Sequence, residues 1–175
     1  MNNNAGVISG SVLKKFQVTE TMLMLAASVI LQFILHLIPP VNGIPLGKLF
    51  LPAFFAPVIA LILFRPHVAY ITAVFAPVVN YLITGFPKPE MLSVLTVELV
   101  LFVTLAVIFH RSGKTREFTA LISYILAKIL AAVILPLFAA GYFVPEMFVK
   151  SFVLSVPGLL ILFILNKVLL KYKGE

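Results

Sequence analysis

The sequence contains no cysteine, no tryptophan and no aspartate, and only 11% of its 175 residues are charged. Without cysteine there is no disulfide framework, no thiolate metal site and no cysteine nucleophile. No Walker A sequence occurs either, so the chain is not expected to hydrolyse nucleotide by itself. These absences remove several classes of enzyme before any pattern is considered.

Apolar side chains are what the sequence has in excess. Hydrophobic residues make up 62% of the chain, and its mean hydropathy is +1.15. A soluble domain of this size could not cover so much apolar surface, so we predict an all-α integral membrane protein embedded in a lipid bilayer. Because tryptophan is absent, any aromatic belt at the membrane interfaces must use the tyrosines, namely Tyr70, Tyr81, Tyr124, Tyr142 and Tyr172.

Six apolar runs are long enough to cross a bilayer, and Pro- and Gly-rich segments separate them. They predict a compact six-transmembrane-helix bundle that forms a single membrane domain over residues 1–175. The predicted spans are 21–38, 49–64, 68–84, 91–109, 118–140 and 147–170. Residues 1–18 are predicted to be either a cytoplasmic tail or a short helix on the membrane surface. Prolines inside the spans favour kinks at Pro57, Pro77, Pro136 and Pro157.

The net charge of +7 is interpreted as a topological signal and not as a sign of nucleic-acid binding, because cytoplasmic loops collect Lys and Arg. If both termini are cytoplasmic, the basic residues outside are Lys48, Lys88 and Lys150. Those inside are then Lys14, Lys15, Arg65, Arg111, Lys114, Arg116, Lys167, Lys171 and Lys173. The reverse orientation would invert this ratio. We therefore predict that the N-terminus and the C-terminus both lie inside.

Glu98 and Lys128 lie deep inside the predicted fourth and fifth spans. A charged side chain in lipid costs at least about 2.5 kcal/mol, so it usually faces a partner, a cavity or a ligand. Two interpretations stay open. The side chains either neutralise each other in a buried ion pair, or they line an outward-facing site in which Lys128 binds an anionic group and Glu98 binds a donor.

Other polar residues of the spans concentrate in the outer halves. Gln32 and His36 are four residues apart and share one face of the first span. Asn80 and Tyr81 lie in the outer half of the third span, and Tyr142 follows the fifth. Together with the two charged residues they predict a substrate-binding pocket open to the outside. His36 also fits the role of a hydrogen-bonded residue at the membrane interface.

Enzyme interpretations fit the sequence poorly. An intramembrane serine protease needs a nucleophilic Ser facing a His, and no Gly-x-Ser sequence with a suitable His is visible. An intramembrane metal enzyme needs several carboxylate or His ligands, and Glu98 alone is well inside a predicted span. No catalytic residue, metal or cofactor is therefore predicted. A stand-alone proton-coupled solute carrier that uses Glu98 is an alternative, and so is a non-catalytic membrane assembly subunit.

Two local features accompany the six predicted spans. The small residues Ala26, Ala27 and Ser28 cluster near the cytoplasmic end of the first span. The stretch 45–53, PLGKLFLPA, follows that span and leads into a short second one. In its length, its number of spans, its orientation and these features, the chain resembles the substrate-binding S components of energy-coupling factor (ECF) transporters.

The resemblance implies a transport subunit in the plasma membrane of a prokaryote. Such a subunit captures a vitamin or another micronutrient beneath its first external loop. It delivers the ligand inside together with a membrane T component and two ABC-type ATPases. Docking on these partners would use Ala26, Ala27 and Ser28, although Leu23 and Leu31 occupy positions at which the family's alanine-x-x-x-alanine face has small residues.

The ligand class follows from the charges expected in the pocket. A single cation among apolar side chains suggests a ligand with a carboxylate and a largely apolar body. The absence of tryptophan disfavours the aromatic-rich pocket of a thiamine binder.

Overall fold

The computed structural model describes the backbone of residues 4–41, 43–113, 115–138 and 145–174, and the side chains of residues 17–41, 43–89, 91–113, 115–136 and 148–174. Within these ranges the chain is helical apart from short connections and one isolated β-bridge between Val41 and Ile44. The α-helices are α1 (Asn4–Leu37), α2 (Leu46–Phe50), α3 (Pro52–Leu63), α4 (Pro66–Thr84), α5 (Pro89–Ser112), α6 (Thr119–Phe138), α7 (Pro145–Leu154) and α8 (Val156–Lys173). A 3₁₀ turn, Arg116–Phe118, precedes α6. The prediction of an all-α fold is confirmed.

Five stretches of the described chain are long and apolar enough to cross a membrane. They are Gln17–Leu37, Leu46–Leu63, Pro66–Thr84, Met91–Ser112 and Arg116–Pro136. A sixth is obtained if Phe148–Leu154 and Val156–Lys173, which meet at a bend of 50°, form one broken span. Each of the six predicted spans overlaps one of these stretches, so a chain with several membrane-compatible helices is confirmed.

Helix α1 begins far before the first apolar stretch. Its backbone is helical for 34 residues, from Asn4 to Leu37, which corresponds to about 50 Å at the usual helical rise. The apolar stretch starts only at Gln17. From Asn4 onward, the segment that was predicted as a tail or a separate surface helix is therefore continuous with the first span.

Prolines occur at two kinds of position. They begin α3, α4 and α5, where the first-turn N–H groups have no intrahelical partner and the missing proton of proline costs little. Pro57, Pro77 and Pro136 lie inside helices, as predicted. Pro157 lies in the first turn of α8, directly after the break at Ser155, and the kink predicted there corresponds to the 50° bend between α7 and α8.

The stretch formed by α2 and α3 is the centre of the bundle. Of its residues 61% are buried, against 22% for the apolar stretch of α1. Helix α3 packs against α1, α4, α5 and α8, while α6 packs against α5 and α8. The Phe54 ring of α3 meets Phe102 of α5 edge-on at 5.1 Å and Tyr124 of α6 at 5.0 Å. These three buried rings join α3, α5 and α6 in one core.

The break between α2 and α3 lies against the start of α8. Leu51 connects the two helices in a left-handed conformation, with φ of 55°. A Cβ atom on Gly158 would lie 2.7 Å from Leu51 Cγ, 2.8 Å from the carbonyl oxygen of Leu49 and 2.8 Å from the carbonyl carbon of Phe50. Two of these atoms belong to the backbone and cannot rotate away. Only glycine fits at this position without displacing a helix.

We predict that Gly158→Ala destabilises the protein by about 1–3 kcal/mol, the usual cost of overpacking a tight contact. Thermal unfolding of the purified protein in detergent measures this as a lower midpoint. Gly47→Ala is the matched control, because a Cβ atom there has nothing within 4 Å. Equal midpoints for the two variants would show that the close contact of α8 with the α2–α3 break is not made.

Candidate functional site

The two charged residues predicted inside the membrane form an ion pair. Lys128 Nζ on α6 donates to Glu98 Oε1 on α5 at 3.2 Å and approaches Oε2 at 3.5 Å. The exposed fractions of the side chains are 11% for Lys128 and 15% for Glu98. The pair is thus largely shielded, but it is not sealed inside the protein.

The geometry of α5 and α6 explains why a lysine and a glutamate meet here. The helices are consecutive and packed together, and the turn at Arg116–Phe118 connects them. Counted from that turn at about 1.5 Å per residue, Glu98 lies several ångströms further along its helix than Lys128 does. The flexible lysine side chain spans this offset, and the pairing offsets the cost of placing either charge in an apolar medium.

Tyr124 and Ser155 complete the surroundings of the pair. Tyr124 lies one helical turn before Lys128, whose Nζ is 5.9 Å from the tyrosine ring centre. The buried Tyr124 hydroxyl lies close to the Ser155 side chain but outside normal hydrogen-bond geometry. Ser155 itself donates to the carbonyl oxygen of Phe152 at 2.7 Å, in the break between α7 and α8. We call Glu98, Lys128, Tyr124 and Ser155 the charged cluster.

Sequence reasoning missed two members of this cluster. Tyr124 was predicted as a candidate for the interfacial belt, but only 1% of it is exposed, so that assignment is wrong. Its four-residue spacing from Lys128 was the available signal, because residues so spaced share one helix face. Pro157 was the available signal for the helix break at Ser155, but it could not show that Ser155 lies near Tyr124, because that depends on packing between distant helices.

A second polar group joins α1 to α4. The Asn80 side-chain amide donates to Gln32 Oε1 at 3.2 Å and to the carbonyl oxygen of Phe86 at 2.9 Å. Gln32 Nε2 in turn approaches the Ser28 carbonyl and hydroxyl oxygens at 3.3 and 3.2 Å. Gln32, Ser28 and Asn80 are all buried, while one polar atom, Asn80 Oδ1, has no partner. We call Ser28, Gln32 and Asn80 the amide cluster.

The remaining residues predicted for the pocket lie around or beyond the amide cluster. His36 is exposed and stacks on the Phe86 ring, with 5.2 Å between ring centres. Tyr81 is half-buried on α4 next to Asn80. Tyr142 lies outside the described residues.

The structure therefore distributes the predicted pocket residues between two helix pairs. Glu98 and Lys128 belong to α5 and α6, while Gln32 and Asn80 belong to α1 and α4. Among the described side chains, no hydrogen bond or ion pair joins the charged cluster to the amide cluster. Substrate binding by these residues stays a prediction, and the charged cluster is the part that carries ionic groups.

The chemistry available in the charged cluster is ionic. Lys128 can donate to an anionic group, and Glu98 can accept from a donor. No group of three His or Glu side chains that could hold a metal ion occurs in the described part of the chain. The cluster thus has the groups to bind a polar ligand end beside aromatic and apolar walls.

The residues predicted for partner docking do not all lie on the surface of α1. Ala26 is exposed and Ala27 is half-buried, but Ser28 is fully buried in the amide cluster. An exposed docking face on this helix therefore consists of Ala26 with the edge of Ala27 and neighbouring large side chains such as Met22 and Leu23.

Comparisons with protein-family models, with curated proteins and with solved structures find no match to this chain. Function is therefore inferred from its side chains and from its layout.

We predict that the losses of stability from removing the two partners of the Glu98–Lys128 pair are not additive. Lys128→Met and Glu98→Gln should each destabilise the protein by about 2–4 kcal/mol, because each leaves a buried group without its partner. The double variant should lose clearly less than the sum of the two. A double-mutant cycle on unfolding free energies in detergent measures the difference, with exposed Lys48→Met as the control. Strictly additive losses would mean that the pair is not formed.

A second prediction concerns the amide cluster. Asn80→Leu leaves Gln32 Oε1 without a donor and leaves the Phe86 carbonyl with only the longer bond from Thr84 Oγ1, so it should destabilise the protein by about 1–3 kcal/mol. Replacing Gln32 by Leu in the same chain should recover part of this loss. The neighbouring change Tyr81→Phe serves as control, because the Tyr81 hydroxyl makes no hydrogen bond to any residue that the structure describes. Thermal unfolding distinguishes these variants, and a neutral Asn80→Leu would contradict the assignment.

Proposed function

We propose that the chain is the substrate-binding S component of an ECF-type importer in a prokaryotic plasma membrane. In this role it captures a vitamin-like small molecule outside the cell and releases it inside, in a complex with a T component and two ATPases. The chain itself carries out no chemical reaction. Three features support the proposal: the helix layout, the charged cluster and the exposed first helix.

The helix layout supports six spans with both termini inside. Five stretches are long and apolar enough to cross, and the bent pair α7–α8 would provide the sixth crossing if it forms one broken span. An even number of crossings returns the C-terminus to the side of the N-terminus. On that side the loops would carry most of the Lys and Arg residues, in agreement with the positive-inside rule.

The Glu98–Lys128 ion pair is the observation that carries the proposal. Ionisable residues inside spans usually mark a path or a site for a polar solute. This pair lies on two consecutive helices, and Tyr124, one turn before Lys128, lies near the break in a third helix at Ser155. Irregular backbone at membrane depth is tolerated where it is buried in protein or lines a cavity. A ligand carboxylate would replace Glu98 at Lys128, while a ligand donor would bind the released Glu98.

The first helix supports coupling to a membrane partner. Its apolar stretch has the lowest buried fraction of the five, at 22%. Large apolar side chains cover its outer face, and Ala26 interrupts them with a small exposed surface. A small residue lets a second helix approach closely, because packing and not hydrophobicity drives helix association in lipid.

The experiment starts from the protein purified with its bound small molecule. Native mass spectrometry identifies that molecule, and titration then compares the wild type with Lys128→Met. Loss of a charge-assisted hydrogen bond should weaken binding about 10- to 100-fold. Lys48→Met, which removes an exposed lysine of α2, should leave the affinity unchanged. The ligand assignment would be falsified by a tight-binding molecule with no anionic group, or by unchanged affinity in Lys128→Met.

Transport assays separate this function from the alternatives. An S component imports its ligand only when T component and ATPases are reconstituted with it, and it co-purifies with them. A proton-coupled carrier could use the membrane-embedded carboxylate of Glu98. It imports its solute without partners when vesicles hold a pH gradient, and it loses this activity on Glu98→Gln. An assembly subunit neither binds the molecule nor moves it.

A further inference from the structure

A groove lies at the end of the bundle where α8 finishes, away from the charged cluster. It has a volume of about 480 Å³ and is lined by Gly113, Arg116, Glu117, Lys167, Leu170 and Lys171. One wall is the connection between α5 and α6, and the other is formed by the last turns of α8. Nothing in the proposed transport of a solute uses this groove.

The walls of the groove are held together by specific hydrogen bonds. The buried Asn166 amide of α8 donates to the backbone carbonyl oxygens of Arg116 and Glu117 at 2.8 and 2.9 Å. Arg116 Nε donates to the carbonyl oxygen of His110 at 3.0 Å, which fixes its side chain against the end of α5. The groove is therefore a feature of the packed structure and not a gap between flexible surface side chains.

Cations dominate the lining. Arg116, Lys167 and Lys171 oppose a single carboxylate, that of Glu117. Lys167 Nζ contacts Glu117 Oε2 at 3.1 Å, but the two side chains are 48% and 62% exposed, so this surface pair contributes little stability. Lys171 pairs with no carboxylate among the residues that the structure describes. An anion that enters the groove would meet a site with a net positive charge. Its one internal competitor for Lys167 is the carboxylate of Glu117, which is held only weakly.

Exposed apolar side chains lie beside the two lysines. Ile164 is three residues before Lys167, and Val168 is three residues before Lys171, on the same side of α8. The exposed fractions of Ile164 and Val168 are 59% and 58%. Along this side of α8, Lys171 lies nearest the helix end and Ile164 nearest the middle of the span, with Lys167 and Val168 between them. Cations and apolar side chains thus lie side by side, as contact with both a phospholipid headgroup and its acyl chain requires.

We propose that this groove binds the phosphate headgroup of an anionic phospholipid, whose acyl chain lies along Ile164 and Val168. Basic pockets between transmembrane helices near the cytoplasmic surface are suited to such headgroups. Free phosphate shares the headgroup's charge, but it would make no use of the apolar side chains. The combination of both surfaces selects the lipid.

The test uses the full-length protein in neutral detergent, titrated with phosphatidylglycerol or phosphatidylcholine and followed by native mass spectrometry. Wild type should bind phosphatidylglycerol more tightly than phosphatidylcholine. The double variant Lys167→Gln/Lys171→Gln should lose about 25-fold in affinity for phosphatidylglycerol, at about fivefold for each lysine near an anionic lipid. Lys48→Gln/Lys88→Gln removes the same charge from exposed sites elsewhere and should change little.

A variant that should bind phosphatidylglycerol more tightly distinguishes loss of the site from misfolding, because a misfolded protein would not gain affinity. Glu117→Gln removes the internal competitor of Lys167 but keeps the backbone carbonyl that Asn166 binds, so phosphatidylglycerol should bind more tightly. Equal losses in the two lysine pairs, or weaker binding in Glu117→Gln, would overturn the site. Displacement of the lipid by millimolar inorganic phosphate would overturn the lipid assignment and leave a site for free phosphate.

Discussion

Polar groups inside the bundle must find their partners within the chain, because a hydrocarbon environment offers none. Threonines meet this constraint locally: the hydroxyls of Thr72, Thr96 and Thr104 each donate to the carbonyl oxygen four residues earlier, at 2.8 Å. Other side chains are paired across helices, as Glu98 is with Lys128 and Asn80 is with Gln32. Helix neighbours are therefore specified by polar pairs, since apolar contacts alone would allow many arrangements in lipid.

The two helix breaks, one between α2 and α3 and one between α7 and α8, also bear on how polar groups find partners. At Gly158 the start of α8 packs closely against the α2–α3 break at Leu51. The α7–α8 break at Ser155 lies three residues before Gly158. Ser155 satisfies part of the interrupted backbone by bonding Phe152, and it stands beside Tyr124 of the charged cluster. The packing of α8 on the α2–α3 break thus determines where the irregular backbone at Ser155 lies relative to the Glu98–Lys128 ion pair.

Much of this organisation was predictable from sequence, but the partners of the polar residues outside the Glu98–Lys128 pair were not. Apolar runs and Pro- and Gly-rich turns located the helices, and burial cost singled out Glu98 and Lys128. The sequence could not assign Gln32 and Asn80 to a cluster of their own, because helix adjacency depends on packing between distant segments. Ser28 shows the same limit, because the sequence does not distinguish a small residue on a docking face from one in a buried contact.

An existing ion pair changes what a ligand has to contribute. A ligand carboxylate at Lys128 would replace Glu98 and add no new charge pair, so the ionic exchange is nearly balanced unless the ligand also supplies a donor for Glu98. Most of the affinity must then come from burial of an apolar body, at about 25 cal/mol per Å². The ion pair would in this way act chiefly on specificity, since a purely apolar molecule could not offset the cost of separating the two charges.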